Sequence, residues 1–294
     1  MKPRFLVAAL LAWAGAASTA PLAPVYQAMN GEQAPFKIAG NLYYVGMSDV
    51  TSYLIVTPKG DILLDGGFEQ SAPAILAHIR ALGFDPRKVK YLLNSHAHFD
   101  HAGGLAELKH VTGAAFVASA PDAPILAAGG HGDSTFGDTA IFPPIRADRI
   151  VRDSDTVSLG GVTLTAHVTA GHTPGCATWT MPLTVDGKTQ TALFLCSLSA
   201  LNDFRLIGNP LYPNQAADFE KTFAMLKTLK CDVFLGAHGQ FFGLAAKSAK
   251  LAAGAIPNPF VDPRGCRDFI AQAEATFDKH LAACKAGGPC GKKD

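Results

Sequence analysis

The stretch NSHAHFDHAGG, residues 94–104, places three histidines and an aspartate within the six positions from His96 to His101. The chain has 10 histidines among 294 residues, so this density is not what chance scatter gives. Imidazoles and carboxylates are costly to bury, and a solvated loop has no need of them. They are, however, ligands that suit zinc. The segment follows an apolar strand pattern and precedes a glycine pair, which predicts a metal-binding loop.

Counting ligands in this loop favours two ions. His96 and His98 are two positions apart, so in extended backbone they project to the same side. Asp100 and His101 lie beyond them, where the chain must turn into the next helix. Catalytic zinc commonly uses three protein ligands, so four in one loop are too many for a single ion. We therefore expect His96 and His98 on one ion and Asp100 and His101 on the other, each ion needing one more ligand.

Two other histidines share this strand-end, glycine-flanked context. His172 lies in AGHTPG and His238 lies in FLGAHGQ, after apolar strand patterns. The remaining histidines are interpreted as ordinary surface or core residues, with His131 in GGHGD as a candidate for a pocket rim. They are His78, His110, His131, His167 and His280.

The first twenty residues have the layout of a secretory signal peptide, with Lys2 and Arg4, an apolar run and then small residues. The run is shorter than the about 20 residues that span a bilayer, so no membrane anchor is expected. Residues 21–294 contain no linker or low-complexity tract, and we expect one domain. Without the signal the formal net charge changes from +1 to −1, which indicates no nucleic-acid partner, and no protein partner is implied. Six cysteines behind an export signal predict a periplasmic location with disulfides.

The order of strand and helix patterns repeats in two halves, separated by a Gly/Pro-rich loop at 130–147. This predicts an α/β fold of two sheets packed face to face with helices outside. Strands are predicted at 36–46, 51–67, 88–93, 114–119, 162–171, 176–196 and 231–236, with the segment 176–196 a hairpin that turns at Asp186-Gly187. Helices are predicted at about 69–83, 104–112, 121–129, 214–229 and 265–284.

These motifs together resemble the metallo-β-lactamase superfamily, and within it the subclass B3 metallo-β-lactamases. NLYYVG, ILLDGG, NSHAHFDHAGG, FGD with PPIRADRIV, HTPG, SLSA and CDVFLGAH occur in the order that this subclass uses. The similarity extends from about Phe36 to Leu281. It implies an αββα sandwich of two mixed sheets with a two-metal site at one sheet edge.

The resemblance also implies the ligands and the reaction. It places His96, His98 and His172 on the first zinc and Asp100, His101 and His238 on the second, in agreement with the ligand count. The implied activity is hydrolysis of the β-lactam ring of penicillins, cephalosporins and carbapenems by a zinc-bound hydroxide that Asp100 orients. Such an enzyme confers antibiotic resistance.

Serines follow the strand pattern TALFLC, at Ser197 and Ser199. Relatives that hydrolyse thioesters or lactones generally carry a metal-bridging aspartate near this point, whereas the subclass resembled here has Ser-Leu-Ser. We expect these hydroxyls to bind the substrate carboxylate; the alternative is that they cap the turn. Phe204 falls where some relatives have a tyrosine that contacts substrate, which leaves Asn202 as the polar contact.

The resemblance implies a Cys231–Cys266 disulfide, and Cys284 and Cys290 flank a turn and can close a small loop. A hairpin that turns at 186–187 pairs residues whose numbers sum to 373. The numbers of Cys176 and Cys196 sum to 372, so we expect these two residues to lie near each other, one position from direct pairing. A disulfide and two buried thiols both remain open for this pair. Since Ser197 is expected to face the substrate, Cys196 is expected to face away from the metal ions.

Two other functions are compatible with part of this pattern. One is hydrolysis of another ester or lactone on the same fold. The other is zinc binding without turnover, which is disfavoured because storage and structural sites usually have four protein ligands and no open position.

Overall fold

The computed structural model describes residues 21–200, 204–288 and 290–291. The predicted signal segment 1–20 and Asn202 lie outside the described residues.

The first half of the chain forms a seven-stranded sheet whose strand order follows the sequence. Neighbouring strands are antiparallel from β1 to β4 and parallel from β4 to β7. The strands are β1 (Phe36–Ala39), β2 (Leu42–Tyr44), β3 (Tyr53–Thr57), β4 (Gly60–Leu64), β5 (Val89–Leu93), β6 (Ala115–Ser119) and β7 (Arg149–Val151).

The second half forms a five-stranded sheet in the order β12-β11-β10-β9-β8. Its strands are β8 (Thr156–Leu159), β9 (Val162–Val168), β10 (Ala177–Val185), β11 (Lys188–Leu195) and β12 (Val233–Gly236). The β10–β11 hairpin has the predicted register, since Trp179 pairs with Phe194 and Val185 pairs with Lys188. Its turn residues have φ angles of 48° at Asp186 and 74° at Gly187, as in the primed turns that fit the strand twist.

Nine helices occur among the described residues, with single 3₁₀ turns at Glu69–Ser71 and Pro86–Lys88. They are α1 (Pro24–Met29), α2 (Ala72–Ala81), α3 (Phe99–Ala102), α4 (Leu105–Thr112), α5 (Ala123–Ala127), α6 (Gln215–Leu226), α7 (Gly239–Phe242), α8 (Leu244–Ala252) and α9 (Pro263–Lys285). The five predicted helices are present as α2, α4, α5, α6 and α9. The prediction missed α1, α3, α7 and α8 and the strands β7 and β8. None of the helices in the described ranges is both long and apolar enough to cross a membrane.

The core shows why the two sheets face each other. Ile62 and Leu64 of β4 join a buried cluster with Trp179 of β10, between the sheets. The intervening Leu63 instead packs into a second cluster with Ile75 of α2, on the other side of the first sheet. Successive strand residues point to opposite faces, so both faces of β4 are apolar.

Helices cover the outer face of the second sheet as well. Phe219 of α6 and Phe277 of α9 are buried, and their ring centroids lie 5.1 Å apart. The molecule is therefore the expected αββα sandwich of two mixed sheets.

All six cysteines are paired. Cys231–Cys266 joins the segment before β12 to α9, and Cys284–Cys290 closes a short loop at the end of α9. Cys176–Cys196 links the two ends of the β10–β11 hairpin, so the disulfide alternative applies and not two free thiols.

Candidate metal centre

The histidine-rich loop begins where β5 ends, and the end of the neighbouring strand β4 holds it in place. Asp65 follows β4 with a φ of 64° and is buried. Its Oδ1 accepts hydrogen bonds from the backbone N–H of Ser95 at 2.6 Å and from Asn94 Nδ2 at 3.1 Å. Its Oδ2 lies 3.7 Å from His101 Nδ1. Asp65 therefore fixes the start of the loop and faces one of its histidines.

A first group of possible metal ligands consists of His96, His98 and His172. Their ligand atoms lie within 4.8 Å of one another, and all three residues are buried. His172 Nδ1 donates a hydrogen bond to the Ser199 carbonyl at 2.8 Å, so the lone pair of the His172 ring lies on Nε2. Burial, and then the neighbouring imidazoles, hold the pKa values of His96 and His172 well below the ordinary value. Both rings are thus neutral, which is the form that binds metals.

A second group consists of Asp100, His101 and His238. The Nε2 atoms of His101 and His238 lie 3.1 Å apart, and Asp100 Oδ2 lies 3.3 Å from the former and 3.5 Å from the latter. Burial alone would raise the pKa of the Asp100 carboxyl, but the imidazoles of His101, His238 and His98 lower it below its usual range. The carboxylate is therefore ionised and available as a ligand. Three donor atoms converge on one point in this group.

Several ring nitrogens in these groups have no hydrogen-bond partner among the described residues. They are His96 Nε2, His98 Nε2 and His101 Nδ1, all fully enclosed by protein. A buried polar atom without a partner costs about 1–3 kcal/mol. His98 Nε2 and His101 Nδ1 have aspartate oxygens at 3.5 and 3.7 Å, so His96 Nε2 is the enclosed nitrogen of the three that a bound ion would satisfy.

Sequence reasoning missed the carboxylates that surround the ligands. Asp122 lies in the loop between β6 and α5, and its oxygens accept hydrogen bonds from the N–H of Ala97 at 2.9 Å, Thr173 Oγ1 at 2.7 Å and the N–H of Gly175 at 2.7 Å. It thus joins the loop with His96 and His98 to the loop with His172. The short helix α5 that follows Asp122 gave no functional signal in the sequence.

Two further aspartates face individual ligands. Asp49 Oδ2 accepts a hydrogen bond from His238 Nδ1 at 2.9 Å, which directs His238 Nε2 toward the second group. Asp133 Oδ2 lies 3.5 Å from His98 Nε2. The turn that contains Asp133 also supplies Phe136, whose ring meets the His98 ring edge-on at 4.9 Å. The loop 130–147 is therefore part of the wall of the site.

The expected substrate contacts are only partly exposed. Ser197 is buried, and its hydroxyl accepts a hydrogen bond from the N–H of Ser199 at 3.3 Å. Ser199 is partly exposed and borders a cavity of about 640 Å³ that Gln240 and Phe241 also line. Phe204 is fully buried and stacks on the His172 ring at 5.3 Å. His131 is exposed and pairs with Asp138, at 3.2 Å, outside both ligand groups.

Cys196 lies next to His96, and its expected orientation away from the metal ions stays a prediction. Its sulfur and that of Cys176 lie within 4.8 Å of a ring nitrogen of His96, so the disulfide adjoins the first group. The strand β11 ends at Leu195, so strict alternation of side chains no longer applies at Cys196 and Ser197.

Comparison with known proteins agrees with this geometry. The sequence profile of the metallo-β-lactamase superfamily matches residues 45–238. The native metallo-β-lactamase of Legionella gormanii is 42% identical, with a TM-score of 0.84, covering 86% of this chain and 97% of that one. A subclass B3 metallo-β-lactamase of Bradyrhizobium japonicum is 40% identical, with a TM-score of 0.82, covering 88% of this chain and 97% of that one.

Curated relatives found by sequence match less of their length. A hydroxyacylglutathione hydrolase of Anaeromyxobacter dehalogenans is 32% identical over 127 residues, which is 43% of this chain and 40% of that protein. The chain spans about a third to two fifths of the length of the curated relatives it matches. The fold, the buried histidine groups and these matches show that the chain belongs to the metallo-β-lactamase superfamily of hydrolases and resembles its subclass B3 members.

Proposed function

We propose that the protein is a dizinc β-lactamase that opens the β-lactam ring of penicillins, cephalosporins and carbapenems. The observation that carries this proposal is the pair of adjacent three-ligand groups, both built on the loop 96–101. The identity of about 40% to subclass B3 metallo-β-lactamases over nearly their whole length supports the substrate class.

The donor set fits zinc. Imidazole nitrogens and a carboxylate oxygen are common zinc ligands, and catalytic sites keep three protein ligands and one open position. Ligand atoms of one tetrahedral zinc lie about 3.3 Å apart, because each lies about 2.0–2.1 Å from the ion. The separations of 3.1, 3.3 and 3.5 Å among Asp100, His101 and His238 agree with this value. His96, His98 and His172 would hold the other zinc.

When bound, zinc supplies a Lewis acid for the lactam carbonyl and the leaving nitrogen and lowers the pKa of water to about 7. The protein supplies the geometry around that chemistry. Asp100 remains ionised, so its carboxylate can accept a hydrogen bond from the attacking water and orient it. Neutral His96 and His172 keep their lone pairs for the metal. Asp49 and the Ser199 carbonyl fix the ring orientations of His238 and His172.

We assign substrate binding to Ser197 and Ser199 on the grounds of the Ser-Leu-Ser motif, and to Asn202 because Phe204, where some relatives have a tyrosine, offers no donor. Ser199 is partly exposed, whereas Ser197 is buried. Ser197 supports Ser199 through their hydrogen bond, so Ser199 is the serine with the clearer route to a substrate carboxylate.

A second candidate function is hydrolysis of a thioester or lactone, favoured by the similarity to hydroxyacylglutathione hydrolases and an N-acyl homoserine lactonase. Against it, the chain carries Ser197 and Ser199 after β11, where such relatives generally carry an aspartate that bridges the two metals.

Hydrolysis of a chromogenic cephalosporin by the purified protein tests the proposal. We expect turnover that is lost on exhaustive chelation and recovered with zinc, and two zinc ions per chain by elemental analysis. A glutathione thioester and an acyl homoserine lactone are assayed in parallel. Turnover of either of these substrates without β-lactam hydrolysis would favour the second function, and activity that persists in metal-free protein would refute both.

We also propose that the protein is exported to the periplasm, where it would confer β-lactam resistance. Three disulfides indicate an oxidising compartment. Mass spectrometry of periplasm-derived protein should give a chain that begins near residue 21. A full-length chain in the cytoplasmic fraction alone would contradict this.

A further inference from the structure

The disulfide Cys176–Cys196 lies directly beside a metal-ligand candidate. The two sulfur atoms and a ring nitrogen of His96 lie within 4.8 Å of one another, and the three residues are buried. Cys176 precedes β10 and Cys196 follows β11, so both are at the end of the hairpin that faces the histidine-rich loop. Cys196 Sγ also lies 3.3 Å from the carbonyl oxygen of Ser95, the residue before His96.

The oxidation state decides what these sulfur atoms can do. The thiolate is the form of cysteine that binds metals, so sulfur atoms in a disulfide are poor ligands. Two thiolates and one imidazole, in contrast, form a donor set that suits zinc and similar soft divalent ions. Around one tetrahedral ion these donors would lie about 3.5–3.8 Å apart, from bond lengths of about 2.3 Å to sulfur and 2.0–2.1 Å to nitrogen. After reduction, the cysteine side chains would have to rotate so that the two sulfur atoms separate to such a distance.

We propose that Cys176, Cys196 and His96 form a redox-gated metal site. In the reduced protein this site binds one thiophilic divalent ion through two thiolates and an imidazole. In the oxidised protein the disulfide closes the site and reserves His96 for the group with His98 and His172. The bond thus protects the first metal group from a competing donor set that lies next to it.

The redox step is an ordinary thiol–disulfide exchange. A dithiol reductant gives two electrons and two protons to the sulfur–sulfur bond, which leaves two thiols on the protein and a cyclic disulfide as the oxidised reductant. Metal binding then displaces the two thiol protons, which the buffer accepts.

Cobalt(II) is the probe for this site, because thiolate ligation gives it an intense charge-transfer absorption that imidazole and carboxylate ligation lack. The full chain is reduced with a dithiol, in mild urea so that the buried bond opens, and both reagents are removed without oxygen. Alkylation and mass spectrometry verify that Cys176 and Cys196 are reduced. We expect the thiolate band to appear with one cobalt per chain in reduced protein and to be absent from oxidised protein, which still binds cobalt through its other ligands.

The double variant Cys176→Ser/Cys196→Ser separates this pair from the other four cysteines. After the same reduction it should lack the band, and circular dichroism verifies that it is folded. If it does not fold, re-oxidised wild type serves instead, because the band must disappear as the disulfide forms again. An equal band in reduced wild type and in the folded double variant, or a band that survives re-oxidation, would overturn the proposal.

Two histidine variants test the third ligand. His96→Ala should weaken cobalt binding at the thiolates by roughly tenfold or more, the scale on which single changes around a metal alter its affinity. His98→Ala is the matched control, because His98 shares the first metal group with His96 but is not grouped with the cysteines. It should not weaken the band, because it removes a ligand from the competing group and none from the thiolate site. Equal effects of the two variants would reject His96 as a ligand of this site.

Discussion

Asp100 is the carboxylate of the HAHFDH segment, and it contacts two potential ligands of the same ion. The change Asp100→Asn keeps the size of the side chain but removes its charge, so both metal binding and orientation of the attacking water should suffer. We expect kcat for β-lactam hydrolysis to fall about 10²–10⁴-fold. Steady-state kinetics with parallel zinc analysis measure this.

The matched control for this variant is Asp278→Asn, which makes the same chemical change at an exposed position of α9. It should have native kcat and native zinc content. A near-native kcat for Asp100→Asn would show that this carboxylate serves packing alone.

Asp122 allows a test of whether a residue outside the ligand groups positions the loops that carry His96, His98 and His172. In Asp122→Asn one acceptor oxygen becomes an amide donor, which opposes the N–H or hydroxyl groups of Ala97, Thr173 and Gly175. The loops that carry His96, His98 and His172 then lose their common anchor. We expect zinc affinity to fall about 10–100-fold, as for other groups that support metal ligands. Competition with a chromophoric chelator measures the affinity.

Asp148→Asn is the control for Asp122→Asn, since Asp148 also accepts a backbone hydrogen bond, from the N–H of Phe116 at 2.7 Å, but is half-exposed. Its zinc affinity should equal that of wild type. If both variants bind zinc as wild type does, the anchoring role of Asp122 is wrong.

The candidate ligands could be found in the sequence because they cluster in one loop or lie at a strand end beside a glycine, which are local patterns that can be read without the fold. Asp122 has no such pattern. Its partners Thr173 and Gly175 are 51 and 53 positions away, so its role depends on how the two halves of the chain meet. The position of Cys196 beside His96 was not predicted, because it also depends on how the two halves of the chain meet.

At the scale of elements, α9 begins with a side-chain cap that also binds a neighbouring helix. Asp262 accepts a hydrogen bond from the N–H of Gly265 at 2.8 Å, and Lys247 Nζ of α8 lies 2.9 Å from its carboxylate. Burial alone would raise the pKa of the Asp262 carboxyl, but Lys247 and the Gly265 N–H lower it below its ordinary value. A carboxyl whose pKa is lower in the folded state stabilises the fold above its unfolded pKa, and this stabilisation is lost as the pH falls through the folded pKa.

The change Asp262→Ala should therefore lower the free energy of unfolding by about 1 kcal/mol near neutral pH, the usual effect of losing such a cap. The difference from wild type should shrink below about pH 4, as the pH falls from the unfolded pKa through the lower folded pKa of Asp262. Urea denaturation at pH 7 and pH 3 measures it, with Asp278→Ala on the same helix as the control. A difference that is the same at both pH values would show that the charge of Asp262 contributes nothing.

Elements with a strong local signal were predicted well. The β10–β11 hairpin has the expected register because Asp186-Gly187 determines the turn and the turn determines which residues pair. The helices α3 and α7 have only four residues each, which is too short for a helical repeat to be visible. Both follow a ligand residue directly, so their formation depends on the site and not on their own composition.

At the scale of the whole molecule, the proposed ligands come from both sheets. His96, His98, Asp100 and His101 belong to the half with the seven-stranded sheet, whereas His172 and His238 follow strands of the other sheet. Bound metal should therefore stabilise the contact between the halves. A site that is loaded at about 100 times its Kd adds about 2.7 kcal/mol to the free energy of unfolding, so chelation should lower the Tm clearly. Differential scanning calorimetry of loaded and metal-free protein measures the shift.

His131→Ala, outside both ligand groups, should show the same loss of Tm on chelation as wild type, while His238→Ala should show a smaller one. An unchanged Tm in metal-free wild type would mean that the metals do not join the halves.

The strand order has a consequence for how the chain is made. Each sheet uses consecutive strands, so the first can assemble as soon as Val151 has been synthesised, before any strand of the second exists. His101 and His238, which face each other in the finished protein, are 137 residues apart. At about 5–20 residues per second, synthesis takes roughly 7–27 s to cover that distance. During this interval the nascent chain contains four proposed ligands of one half without His172 and His238. An ion bound at that stage would have an incomplete coordination shell until those two histidines are in place.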